Sequence, residues 1–172
     1  MTLSVAIPTL QTERLILRAP GEADLPAITA FRASDRTAFI GGPKDAMQVW
    51  DGFLMQIGHW ALRGYGWWII EDRATGTVAG RTGVSFRPNY PEPELGWHIF
   101  DGFEGQGYAF EAALAARRHA QTAMGLGPLI SMIDPENIRS LALAKRIGAT
   151  FERMGEIDGQ VCQIWRHPGG AA

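Results

Sequence analysis

A chain of 172 residues, 46% apolar and 20% charged, has the length and balance of one globular domain that buries a core without disulfides. Its formal net charge of −2 gives no global basic field to attract nucleic acid. A single cysteine, Cys162, excludes an intrachain disulfide and any site built from several cysteines, and points to a reducing, cytoplasmic compartment.

Met1 to Gln11 lacks a basic start followed by an apolar stretch, so no secretory signal is read there. No apolar run is long enough to cross a bilayer. Glu13 to Arg18 alternates apolar and polar residues as a strand does. Pro20-Gly21 breaks it, and Leu25, Ile28 and Phe31 space a helix over Glu22 to Ala33. After the loop Gly41-Gly42-Pro43, a second helix from Lys44 places Met47, Trp50, Leu54, Ile57 and Ala61 on one face. Gly64 and Gly66 end it, since glycine costs roughly 1 kcal/mol in a helix interior.

Strands follow at Trp67 to Glu71 and Val78 to Phe86, with a turn at Asp72 to Gly76 between them. Pro88 to Pro93 is a proline-rich loop, Glu94 to Phe100 the next strand, and Asp101 to Gly107 a glycine-rich turn. An alanine-rich helix runs from Tyr108 to about Met124, closed by Gly125. Pro128 to Ile133 reads as a buried strand, and Asp134-Pro135-Glu136-Asn137 leads into a helix that stops at Gly148. Thr150 to Ile157 and Val161 to Arg166 flank Asp158-Gly159, a strong hairpin signal. The order predicts one α/β domain over 1–172, with a core of about 12–166.

The richest stretch is Phe103-Glu104-Gly105-Gln106-Gly107-Tyr108-Ala109, between a strand and a helix. Glycine lets backbone approach a ligand with no Cβ in the way. A helix N-terminus offers unpaired N–H groups and a dipole that favours an anion. The same stretch also reads as a plain loop with a helix cap. A dinucleotide fingerprint fails because Phe110 stands where the third glycine belongs, and no P-loop motif occurs.

Glu104 to Ala109 resembles the [QR]-x-x-G-x-[GA] pyrophosphate motif of the GNAT acetyltransferases. The likeness extends through Glu94 to Ile99, Phe110 to Ala113, Asp134 to Asn137, Ser140 and Ile147-Gly148-Ala149, and covers roughly Thr12 to Arg166. Thr12 to Arg18 resembles the first strand of the branch that acetylates ribosomal-protein N-termini. The resemblance implies a mixed, mostly antiparallel sheet of about seven strands, helices on both faces, and a V-shaped split at the cofactor. It implies acetyl-coenzyme A as co-substrate, its pyrophosphate over Glu104, Gly105, Gln106, Gly107, Tyr108 and Ala109, and backbone groups of Ile99 and Phe100 facing the pantetheine. The acceptor is a primary amine, either a peptide N-terminus or a small molecule, attacking the thioester directly. A binding module that holds acyl-coenzyme A without turnover is the alternative.

Three positions depart from the family pattern. Glu104 replaces the usual Arg or Gln, Ala149 the usual Phe, and Ala144 the tyrosine that protonates the departing thiolate in many members. Glu94 is the first candidate base, sharing one strand face with Gly96 and His98. Its ordinary reading is a solvated strand end. His98 titrates near neutrality and is a candidate relay; its ordinary reading is a packed histidine. Asn137 and Ser140 suit a helix N-terminus, and by resemblance contact the pantetheine arm and the sulfur region. Cys162 reads as a buried structural thiol. His59, His98, His119 and His167 lack metal-ligand spacing, so no metal is expected. Arg117-Arg118-His119 reads as a solvated helix face, and Trp50, Trp60, Trp67 and Trp68 as core with some lining the acceptor pocket. No membrane or nucleic-acid partner is expected, and a homodimer through exposed strands or the Pro88 to Pro93 loop is compatible with the pattern.

Overall fold

The computed structural model describes residues 5–169. The alternating apolar pair Leu15 and Leu17 lies in strand β2 (Leu15–Arg18), and a two-residue strand β1 (Leu10–Gln11) folds back on it, Leu10 opposite Leu17. That makes eight strands where about seven were expected, because two residues are too few to carry a period-two signal. After one 3₁₀ turn (Glu22–Asp24) comes α1 (Leu25–Arg32), then a 3₁₀ stretch (Asp35–Ile40) in a segment read as connection. Helix α2 (Ala46–Arg63) starts two residues after the expected Lys44. Asp45 accepts from the Gln48 N–H at 2.9 Å while the Gln48 side chain accepts from the Asp45 N–H at 3.1 Å. This reciprocal cap, not hydrophobic spacing, sets the first turn.

The remaining elements are β3 (Trp67–Asp72), β4 (Val78–Ser85), β5 (Glu94–Ile99), α3 (Tyr108–Thr122), β6 (Ile130–Ile133), α4 (Ile138–Arg146), β7 (Thr150–Ile157) and β8 (Gln160–Arg166). They form one sheet in the order β1-β2-β3-β4-β5-β6-β8-β7. Every neighbouring pair is antiparallel except β5 and β6. Since β5 and β6 run parallel, a crossover must join them, and α3 is that crossover. Its N-terminus therefore sits at the end of β5.

Alternation along β3 layers the molecule. Trp68 and Ile70 pack in the cluster that contains Ala112, Ala113, Ala116 and Ala120 of α3, whereas Ile69 packs with Ile28 and Phe31 of α1 and Val49 and Phe53 of α2. Helices thus cover both faces. The four α3 alanines are fully buried, which brings the helix axis close to the sheet. No helix among the described residues is long and apolar enough to cross a membrane.

Ala116→Leu should lower the unfolding free energy by about 1–3 kcal/mol through overpacking, measured by urea denaturation. An unchanged midpoint would mean that α3 lies less tightly on the sheet than the alanine stripe indicates.

Candidate functional site

Strands β5 and β6 share one paired position, Glu94 opposite Ile130, where the Ile130 N–H reaches the Pro93 carbonyl at 3.2 Å. A regular parallel ladder would next place the Met132 N–H on the Leu95 carbonyl. Side chains take both partners instead. The Met132 N–H donates to Glu94 Oε1 at 3.3 Å, and the Ser131 hydroxyl donates to the Leu95 carbonyl at 2.6 Å. His167 Nε2 lies 2.8 Å from the same hydroxyl, bracing it from behind. Beyond this point the strands part. The split opens into a cleft of about 960 Å³ whose lining includes Arg81, Glu94, Trp97, His98, Asn137 and Ser140.

Glu94 faces this cleft but is walled by protein elsewhere, and that desolvation pushes its carboxyl up to about 7. The Met132 amide and the Arg87 charge pull the other way and are outweighed. The result is a carboxyl group poised near neutrality at the root of the split. His98, expected as a relay or a packed histidine, lies on the same strand face. Its Nδ1 accepts from Arg81 Nε at 3.0 Å, and its ring packs between Phe31 and Trp67, with centroids 5.4 and 4.8 Å away. Burial and then the neighbouring Arg81 and Arg32 charges hold its pKa well below the usual histidine range. His98 is a neutral packing group that fixes Arg81.

The turn leading into α3 is built for open amides. Gly105 and Gly107 adopt φ of +72° and +80°, where side chains are strained, and Gly107 caps the helix with no side-chain bond. Among the described residues, nothing accepts from the N–H groups of Gln106 to Phe110. The loop is braced from outside. Arg36 donates to the Ile99 carbonyl at 3.0 Å and to Asp101 at 3.0 Å, and pairs with Glu104 at 2.6 Å. Glu104 is thereby turned to Arg36, and its side chain anchors the loop. Gln106 also braces, its amide donating to the Gly102 carbonyl at 2.8 Å. The Tyr108 hydroxyl is buried and donates to Asp72, so only its backbone is available at the helix end. Ala109 contributes a backbone amide alone.

Ile99 and Phe100, expected to act together, point opposite ways. The Phe100 N–H donates to the Ala79 carbonyl at 2.9 Å and its carbonyl accepts from Phe103, so Phe100 belongs to the β4 side and the core. The same alternation turns the backbone of Leu95, Trp97 and Ile99 towards the split. Trp97 lines the cleft. Its indole N–H donates to Ser140 Oγ at 3.3 Å, while Asn137 caps α4 by accepting from the Ser140 N–H at 3.2 Å. Ala144 and Ala149 are buried with Ile133 and Trp165. Cys162 is buried, as expected, and burial pushes its thiol pKa up. Among the described residues, no group of three or more His, Cys, Asp and Glu side chains is arranged to hold a metal ion.

Sequence reasoning missed Arg14, Arg36, Trp97 and Ser131. Arg14 lies beside the glycine turn, donating to the Gln106 carbonyl at 2.8 Å and to Glu111 at 2.7 Å. It is 92 residues from Gln106 in sequence, so no local motif contains both.

A sheet split between its one parallel pair, with open amides where a glycine turn enters the crossover helix, defines an acetyltransferase of the GNAT class. Residues 14–150 match the family described as Acetyltransferase (GNAT) domain, and the chain belongs to that family as an acyltransferase enzyme. An acetyltransferase from Agrobacterium tumefaciens strain C58, known from its crystal structure, is 39% identical, with 98% of each chain covered and a TM-score of 0.88. The uncharacterized protein YkkB of Bacillus subtilis is 29% identical over 153 residues, 84% of this chain and 86% of YkkB. RimL, a ribosomal L7/L12 α-N-protein acetyltransferase solved in complex with coenzyme A, shares the fold at 18% identity, 99% of both chains and a TM-score of 0.77.

A carboxyl whose folded pKa is raised favours folding below its unfolded pKa, and that contribution is lost as pH rises through about 7. Glu94→Gln keeps an acceptor for Met132 and removes the charge. Its stability relative to the native chain should therefore increase between pH 4.5 and about pH 7 and level off above that. Paired thermal melts across that range check this, and a flat difference would remove the desolvated carboxyl.

Proposed function

We propose that the chain is a cytoplasmic single-domain N-acetyltransferase that moves an acetyl group from acetyl-coenzyme A to a primary amine by direct attack. The observation that carries this reading is the split β5–β6 pair, with Glu94 at its root and unpaired α3 amides at its mouth. The turn fits a diphosphate. A Cβ at Gly105 would meet nothing within 4 Å, so the outer side is open, and at Gly107 it would meet Arg14 at 3.3 Å, so a cation flanks the amides. The N–H groups of Gln106 to Ala109 would hold the pyrophosphate, with charge from Arg14 beside them. Ile99, Trp97 and the free amide end of Asn137 would line the pantetheine arm. The fold shared with RimL, solved in complex with coenzyme A, supports coenzyme A as the ligand. The cofactor supplies an activated acetyl thioester.

The protein contributes base, donors and alignment. Ionised Glu94 accepts a proton from the amine, through a water where the amine does not reach the carboxylate. For a lysine-like amine, deprotonation at pH 7 costs roughly 4.6 kcal/mol; for an α-amine it costs about 1. A base near pKa 7 is thus sufficient for an α-amine and useful for a more basic one. The Trp97 backbone N–H, turned into the split, would donate to the developing oxyanion, a contribution of roughly 3 kcal/mol when preorganised. The Ser140 hydroxyl, with Trp97 donating to its oxygen, keeps its own proton for the departing sulfur and stands in for the tyrosine absent at Ala144. An amine acceptor, whether peptide N-terminus or small molecule, enters from the cleft.

Two measurements test this. Glu94→Gln should lower kcat/KM about 10²–10⁴-fold and abolish the limb that rises with pH through about 7. A retained limb would assign the base elsewhere. Gly107→Val should weaken coenzyme A binding in calorimetry by roughly tenfold or more, since it strains the backbone and displaces Arg14. Native-like affinity would overturn the cradle.

A further inference from the structure

The α1 side of the cleft holds two guanidinium groups that the chemistry above does not use. Arg32, at the end of α1, and Arg81, on β4, both line the cleft and both are half-buried. Among the described residues neither forms an ion pair, whereas Arg18, Arg36, Arg153 and Arg166 all do. Arg81 donates to neutral His98 and stacks at 5.4 Å over the Trp67 ring. Arg32 makes one long bond, 3.5 Å, to the Ile40 carbonyl. Burial lowers the pKa of both, and Arg81 is held down to about 10, partly by the nearby Arg32 charge.

Two like charges withdrawn from water beside each other are costly unless a counter-ion arrives. The cleft carboxylates do not supply it: Glu94 stands at the split, Asp134 and Asp158 lie beyond it, and Asp51 is exposed on α2. Lys44 also lines the cleft, as does Arg87, which acts on Glu94 and donates to the Tyr90 hydroxyl at 3.0 Å. Gln56 gives an independent sign. Its buried side-chain oxygen has no partner, and it lines both this cleft and the small pocket beside Arg81. Rotation of that carboxamide presents an N–H to an incoming acceptor atom.

We infer that the amine acceptor carries an anionic group, carboxylate or phosphate, bound between Arg32 and Arg81 several bonds from its nitrogen. This rests on the acetyl-transfer reading above. Glu94 and His98 are four residues apart on β5, a separation of about 13 Å. Between them the Trp67 indole covers Gly96, where a Cβ would lie 2.5 Å from the ring. The acceptor therefore stretches over an aromatic floor, amine towards Glu94 and anion towards Arg81. Guanidinium forks suit the planar oxygens of such a group.

The test measures thiol release with hexylamine, ω-aminohexanoate and ω-aminohexyl phosphate, and calorimetry with the same compounds and coenzyme A. The anionic amines should exceed hexylamine roughly ten- to hundredfold in kcat/KM. That ratio should collapse towards one in Arg32→Gln, while coenzyme A affinity is retained. Comparing the two anionic arms separates carboxylate from phosphate recognition. Arg81→Gln also loses its bond to His98, so Arg32→Gln, with no such partner, is the deciding variant. Acetylation of hexylamine at an equal or higher rate would overturn the inference and leave acetyl transfer standing. Absence of thiol release and of coenzyme A binding would instead overturn the acetyl-transfer reading. In that case, anion binding lost in Arg32→Gln would still support the arginine pair, and no anion binding would overturn it.

Discussion

The interruption of the β5–β6 ladder is the constraint on which the site depends. A parallel pair gains one backbone hydrogen bond after another as long as the strands stay together. Here the Glu94 carboxyl and the Ser131 hydroxyl take the two groups that would make the next bond, and buried His167 holds the hydroxyl in place. Neither backbone group is left unsatisfied, so the strands separate without the penalty that an orphaned amide carries. The group that opens the sheet is also the group that titrates near neutrality in the opening. One carboxyl connects the architecture to the electrostatics of the cleft.

The mouth of the split follows from the same topology. Strands running parallel require a crossover, and α3 starts where β5 ends. Its first-turn amides therefore lie beside the split. The positive-φ glycines keep side chains away from those amides, and two arginines distant in sequence stiffen the turn: Arg36 through Ile99, Asp101 and Glu104, Arg14 through Gln106 and Glu111. This explains why a glutamate is tolerated at a position where the family usually has Arg or Gln. At position 104 the side chain anchors the loop to Arg36, and the first-turn amides of α3 stay open.

The part of the cleft lined by Arg32 and Arg81 obeys a different electrostatic logic. Arg18, Arg36 and Arg166 are satisfied by carboxylates and serve structure. Arg32 and Arg81 lie on the cleft wall with neutral partners, next to an amide oxygen that has none. Arg87, the cation nearest Glu94 on the cleft lining, is bonded instead to the Tyr90 hydroxyl.

Much of this was legible in the chain itself. Alternation, helical spacing, Gly64, Asp158-Gly159 and the Gly105-Gln106-Gly107 turn identify the strands, helices and cradle, because these signals are local: they arise from backbone geometry within a few residues. Glu94 was legible as a candidate because its strand face could be counted. Its raised pKa was not, since desolvation comes from walls contributed by distant segments. The surroundings of His98 were not legible for the same reason: Arg81, Phe31 and Trp67 reach it only across the sheet. The direction of the Phe100 backbone, towards β4, was not legible because strand alternation gives relative directions, whereas only the neighbouring strand decides which direction is the split. Local periodicity determined the elements and the cradle. Tertiary structure alone decided charge state, pairing and orientation, because those depend on groups that are close in space and far apart along the chain.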